Sequence, residues 1–259
     1  MFKHNHAVAN YKLRVAVLEC PYDTFTSSDF TRDFLTSIFK LKFEGYRKHY
    51  PYGIMPVSEY DFMATHVSIC LEDGERLLPL AAFKSITNVV CDKFRVAFPV
   101  VSHKFGSFKD DFPTHVEALN LWQQGCEDRQ ETYAYNASWT MRTDLDKDLR
   151  GICRELTYAL LHFHYNHQKI QNMINSTACT HNVNINEEFM GLKYLKDKNG
   201  NFLEPFSSPV FYEQPFQLMY FDKSGLSDIF VQDCKKYQPL WDSRLVLNSK
   251  MLEQKKKIA

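Results

Sequence analysis

Three features of this 259-residue sequence predict an α/β domain on a mixed sheet of about six or seven strands. Tyr133 to Arg142 alternates as a strand does, with Tyr133, Tyr135, Ala137, Trp139 and Met141 on one face. The period then changes: Leu149, Ile152, Cys153, Leu156, Ala159, Leu160 and Phe163 form a helical stripe, predicting a helix from Lys147 to His167 with Asp146 as its N-cap. Met173 to Thr180 reads as a strand again, and Asn184 with Glu187 reads as a capping box opening another helix. Strand, helix, strand, helix normally makes two parallel strands joined by a right-handed crossover, with ligands at the strands' carboxyl ends. The turn from Arg142 to Gly151 is therefore a place to seek chemistry, because backbone N–H groups at a helix start hold anions.

The remaining elements follow in order. Leu13, Val15 and Val17 alternate within Tyr11 to Glu19, a first strand ended by Cys20-Pro21. Ser28-Asp29 caps a helix with Phe30, Phe34, Ile38, Leu41 and Tyr46 on one stripe and Arg32, Lys40, Lys42, Arg47 and Lys48 elsewhere around it. His49 to Ser58 reads as loop. Val67, Ile69 and Leu71 run into Asp73-Gly74 and then Leu77 to Ile86, a hairpin whose Pro79 weakens the second strand or marks it as bulged. Residues 88–130 read as an insertion in which FRVAFPVV is a possible strand and HVEALNLWQQGCEDRQE a helix. PVFYEQPFQLMYFD reads as one or two strands interrupted by Pro215, and residues 224–259 as a helical extension of a single domain spanning 1–259.

Composition excludes several classes. Lys plus Arg is 31 and Asp plus Glu is 31, so no global field draws the chain to nucleic acid. No apolar run approaches the roughly 18 residues of a membrane span, and the N-terminus has no apolar signal core. Seven cysteines without CxxC spacing fit free thiols in a reducing compartment, so a cytoplasmic protein is expected. His162, His164 and His167 do not share one helix face, and no metal is expected.

The order of elements, with IFKLKFEGYRKHYPYGIMPVSEYDFMATHVSICLEDGERLLPLAAFKSI and TMRTDLDKDLRGICREL, resembles the Gcn5-related N-acyltransferase superfamily. Within it, the pattern is similar to the branch of acyl-homoserine-lactone synthases and long-chain N-acyl amino acid synthases. The resemblance implies a three-layer domain whose central sheet splays between its fourth and fifth strands, with the thioester donor, acyl-CoA or acyl-phosphopantetheine, bound along the exposed strand. On that basis Ser138, Thr140 and Met141 would meet the pantetheine, and Arg150, Gly151, Ile152, Cys153 and Arg154 the phosphates. Glu59, Asp61 and His66 are the candidate bases and Tyr194 the candidate acid to the thiolate, each also readable as a turn, strand or packing residue. Arg142, Trp139 and Lys84 would bind substrate.

The implied activity is transfer of an acyl group longer than acetyl to the amine of an amino acid or small amine. Phe189, Met190 and Leu192 would face the chain beside Trp139 and Met141. An acyl carrier protein, if it is the donor, would dock on the basic face carrying Arg32, Lys40, Lys42, Arg47 and Lys48. Cys153 and Glu155 stand where the family carries glycines, and the glutamate expected before Arg142 is absent. A binding or regulatory protein that has lost catalysis, and an acetyl-coenzyme A-dependent acetyltransferase, are therefore the rival readings.

Overall fold

The computed structural model describes residues 11–47, 57–74, 76–179, 183–207, 215–222 and 225–251. Eight strands form one mixed sheet: β1 (Leu13–Glu19), β2 (Thr65–Asp73), β3 (Arg76–Thr87), β4 (Tyr133–Met141), β5 (Asn172–Ala178), β6 (Lys193–Tyr194), β7 (Phe216–Asp222) and β8 (Leu245–Leu247). Their spatial order is β6-β7-β5-β4-β3-β2-β1-β8, with β4–β5 and β1–β8 parallel and the other pairs antiparallel. The sheet thus exceeds the expected strand count. The added strand β8 lies in the tail that patterning read as helical, being too short to show a period.

The described residues include nine α-helices: α1 (Asp29–Tyr46), α2 (Glu59–Met63), α3 (Asn88–Phe94), α4 (Val100–Lys104), α5 (Pro113–Asp128), α6 (Lys147–Gln168), α7 (Val183–Met190), α8 (Asp228–Cys234) and α9 (Gln238–Asp242). FRVAFPVV is not a strand. It ends α3, turns at Arg95 in the left-handed region (φ 55°) and enters α4 after Pro99. The Ser28 and Asp146 caps form as patterned, accepting from the amides of Thr31 and Leu149. Lys48, Tyr50 to Tyr52 and Lys255 to Lys257 lie outside the described residues.

Alternation along the strands builds two apolar layers. Val15, Val17, Val67, Ile69, Phe83, Ala134, Met173 and Met219 meet Ile152, Leu156, Leu160, Phe230 and Trp241 from α6, α8 and α9. On the opposite face there are two clusters. Ala16, Leu18, Cys70 and Ala82 pack on Phe34, Leu35, Ile38 and Leu41 of α1, while Ile86, Tyr135, Ile174 and Leu218 pack under Tyr60, Val100, Phe105 and Leu119. The seam between those clusters is polar, and it lies beside β4.

Two irregularities shape that region. The β2–β3 register shifts between Ile69 and Cys70, beside Pro79, as the proline suggested. The β3–β4 register shifts between Ala82 and Lys84, opposite Ser138, whose φ is 56°. A bulge adds one residue to one strand and reverses the faces beyond it. Trp139 and Met141 therefore leave the face of Tyr135 and Ala137 and join the α6 layer, where Trp139 meets Phe83 and Tyr158 at ring-centroid distances of 5.9 and 5.2 Å.

Gly191 ends α7 at φ 106°, and a Cβ there would lie 1.8 Å from the Gly225 carbonyl oxygen. A backbone neighbour cannot rotate away as a side chain can. Gly191→Ala should destabilise the fold by about 2 kcal/mol or more, read from urea unfolding; a loss under 0.5 kcal/mol would show that the two segments separate freely.

Candidate active site

Parallel pairing between β4 and β5 covers only Tyr133↔Asn172, Ala134↔Met173 and Tyr135↔Ile174. Beyond Tyr135, β4 continues against β3 and β5 against β7, so the two strands diverge at their carboxyl ends. This is the expected splay. A cavity of about 330 Å³ fills it, bordered by residues 135–139 of β4 and 175–178 of β5, a volume at the lower end for small-molecule sites.

Lys42, Lys84 and Lys104 reach the cavity from the polar seam. The buried Asp61 carboxylate holds the first two, with Nζ of Lys84 at 2.7 Å and Nζ of Lys42 at 3.2 Å from Oδ1. Its Oδ2 accepts from the Ser58 amide at 3.0 Å, closing the capping box of α2. Burial alone would raise the Asp61 carboxyl, but Lys84, Lys42 and His66 outweigh it and hold the group well below the usual carboxylate range. Burial brings Lys84 down to about 8 despite Asp61. Lys104 is also lowered to about 8, by burial and then by repulsion from Lys84 and Lys42. Its ammonium lies over the Phe216 ring, 5.2 Å from the centroid.

Glu187 borders the cavity from α7. It is buried, accepting from Asn175 Nδ2 at 3.1 Å and from the Thr177 hydroxyl, and burial pushes its carboxyl up to about 7. Sequence patterning placed this residue in a capping box with Asn184. Instead Asn184 donates to the Tyr194 hydroxyl at 3.4 Å, and Glu187 turns inward.

The expected base candidates separate. Glu59 is exposed at the start of α2. Asp61 is buried in its ion pairs, and His66 is buried with Nε2 2.6 Å from the Asp61 carbonyl oxygen. Burial lowers His66 to about 4, so near neutral pH the ring is neutral and its Nε2–H donates to that carbonyl. Tyr194 is on β6 and not on a helix, because Gly191 ends α7 before it; it opposes Met219.

The expected substrate and donor residues divide likewise. Lys84 and Ser138 line the cavity, and Trp139 borders it while packing its ring on α6. Arg142 turns away to Asp144, with Nε–Oδ1 2.8 Å and Nη2–Oδ2 2.5 Å. Thr140 donates to the Leu41 carbonyl at 3.4 Å, and the Tyr46 hydroxyl donates to the Trp139 carbonyl. Met141 packs against the α6 layer.

At the start of α6, Arg150 Nη2 donates to the carbonyls of Thr143 and Leu145, both at 2.9 Å, bracing the turn. Arg154 is exposed, Gly151 is buried, and Ile152 and Cys153 point into the core. Glu155 also points away from the helix start, accepting from Tyr237 at 2.9 Å and Lys236 at 3.2 Å.

The supposed basic face of α1 changes character. Lys42 is buried in the site, Arg32 pairs with Asp29, and Lys40 lies 4.0 Å from Glu44. The expected acyl-chain wall also divides: Met190 and Leu192 are buried in the α6 layer, while Phe189 is exposed. Lys104 and Glu187 were missed as functional candidates. The Glu187 position at a helix start, facing a polar Asn-Ser-Thr stretch of strand, was the available signal.

No protein-family profile and no curated protein matches this sequence. Structural comparison finds FeeM, an N-acyl amino acid synthase from uncultured soil microbes, with TM-score 0.52 and 11% identity over 84% of this chain and 93% of FeeM. It also finds BjaI, a coenzyme A-dependent acyl-homoserine lactone synthase bound to S-adenosylmethionine and isopentyl-CoA, with TM-score 0.52 and 11% identity over 90% of this chain and 92% of BjaI. The chain shares the Gcn5-related N-acyltransferase fold with them. Among the described residues no helix is long and apolar enough to cross a membrane, and no metal-binding group of three or more His, Cys, Asp or Glu side chains gathers.

Proposed function

We propose that this protein is an N-acyltransferase moving an acyl group longer than acetyl from a thioester, acyl-CoA or acyl carrier protein, to the amine of an amino acid or small amine. The observation that carries this is the cavity in the β4–β5 splay, with the buried Glu187 carboxylate on one side and the lysine cluster on the other. The donor's pantetheine lies along the β4 edge that has left β5, from Asn136 onward, where backbone groups lack a ladder partner in β5. Its phosphates extend toward the start of α6.

The chemistry then needs a base, an oxyanion partner and a leaving group. Glu187 takes a proton from the acceptor ammonium. The freed nitrogen lone pair attacks the thioester carbonyl carbon, the carbonyl π electrons move to oxygen, and the lysine side of the cavity supports the oxyanion. Collapse breaks the C–S bond, leaving an amide and a thiolate; the second amine proton is lost and the thiolate is protonated, from the site or from water. The seven free thiols fit a reducing, cytoplasmic setting.

A binding role without catalysis is favoured by one observation at the phosphate end. The Leu149 amide is already taken by Asp146, and Arg150 is spent on the turn. Thiol release from donors of two to sixteen carbons, with a panel of amines, separates these readings. A rate that climbs with chain length is expected, since each buried methylene contributes about 0.8 kcal/mol. A flat series, or a preference for acetyl, removes the long-chain reading. Thioester binding without thiol release from any pair would identify a binding protein.

A further inference from the structure

The charges around the cavity are unbalanced in a way the acyl donor does not account for. Among the described residues, three ammonium groups, on Lys42, Lys84 and Lys104, line the cavity, and the buried Asp61 carboxylate receives two of them, those of Lys42 and Lys84. Lys104 forms no ion pair among the described residues and rests on an aromatic ring. Asp61 is also buried behind its lysines, at 1% exposure, so it does not present negative charge to a ligand. Among the described residues a second carboxylate at the cavity, Glu187, enters from the opposite side on α7 and is held by Asn175 and Thr177 of β5. The cavity is thus polarised, positive at the α1–β3–α4 side and carboxylate-lined at the α7 side. Ser58 and Ser102 border the cavity as well, and a serine hydroxyl can donate to an anionic oxygen.

We propose that the acceptor is a small primary amine carrying two anionic oxygen groups, its anionic end seated among Lys42, Lys84 and Lys104 and its amine directed at Glu187. A dicarboxylic amino acid and a phosphorylated amino acid share this chemistry. The inference rests on the acyltransferase reading for the purpose of the amine, while the charge preference can be measured without donor or turnover. A buried ammonium gives an anionic oxygen a charge-assisted hydrogen bond, and losing one costs tenfold or more in affinity. A neutral side chain in the same place leaves the lysine charges facing each other. The ammonium groups of Lys84 and Lys104 are still mostly protonated at neutral pH, so the field is present when the ligand arrives.

Calorimetry on the full chain without donor provides the test, comparing L-glutamate, O-phospho-L-serine, L-glutamine and L-alanine, with coenzyme A titrated separately. Glutamate or phosphoserine, whichever source is correct, should bind at least tenfold tighter than glutamine and alanine. Raising salt to about 0.5 M should narrow that gap in the unmodified protein. Lys104→Met should erase the gap while leaving coenzyme A binding unchanged, and Lys104→Arg should restore most of it; thermal melting checks that both variants fold. If Lys104→Met does not fold, the ligand ranking and its salt dependence in the unmodified protein decide the matter. Equal affinity for charged and neutral amino acids overturns the proposal. So does weakened coenzyme A binding in Lys104→Met with the amine ranking intact, which would assign the lysines to donor phosphates. Absence of thiol release in the presence of a clear charge preference would instead defeat the acyltransferase reading and leave the anion site standing.

Discussion

Glu187→Gln is expected to slow acyl transfer by 10²- to 10⁴-fold, the range in which a positioned general base contributes. The variant keeps the size of the side chain and can still exchange hydrogen bonds with Asn175 and Thr177, so the loss would come from the missing proton acceptor. The pH profile distinguishes that from a packing effect. With its carboxyl raised to about 7 by burial, Glu187 is a base only above that pH, and the rate should rise through pH 7 and level off in the unmodified protein. In Glu187→Gln that limb should vanish.

Stability should move the opposite way. A carboxyl whose folded pKa is raised contributes fully below its unfolded value of 4.5 and loses that contribution as pH climbs through about 7. At pH 8 the ionised Glu187 then costs the fold on the order of 3 kcal/mol, a cost the amide avoids. A more stable, slower variant is therefore expected. A variant as fast as the parent would remove Glu187 from the chemistry.

The second large effect is on stability. Asp61→Asn should cost roughly 3–5 kcal/mol, because removing one partner of a buried ion pair strands the charge that remains. Here two ammonium groups, on Lys84 and Lys42, would face each other with only an amide between them. The loss should shrink as pH rises and the buried amines shed their protons. Adding Lys84→Met should recover part of it, and that coupling is measurable by urea unfolding of the single and double variants. If Asp61 acted as the catalytic base instead, the pH 7 limb would survive in Glu187→Gln, because the Asp61 carboxyl is held well below that range.

Much of the scaffold was legible because it is local. The stripe from Leu149 to Phe163, the Asp146 cap and the hairpin closing at Gly74 depend on neighbours a few residues away, and all three form where periodicity put them. The site was harder to read, since its chemistry depends on distant partners. Lys42 adjoins the Ile38–Leu41 stripe and patterned as a solvated helix position; its ion pair with Asp61, nineteen residues on, makes its burial tolerable. Lys104 sat in a segment with no clear period. Ser138 is ordinary as a letter, yet its left-handed backbone reverses every later side chain on β4, which is why Trp139 faces α6. The expected parallel pair and its divergence survived because they follow from topology rather than from any one residue.

The pairing of β8 with β1 has a bearing on how the chain is made. Leu245–Leu247 lies beside Ala16–Leu18, joining segments more than two hundred residues apart in a parallel arrangement. While the ribosome is still adding residues, the outer edge of β1 has no strand to accept its hydrogen bonds, although β2 can already cover the inner edge. Such an edge invites pairing with another nascent chain. Translation interrupted between α9 and β8 would leave a nearly complete sheet with that edge bare, and such fragments should aggregate more readily than the finished protein.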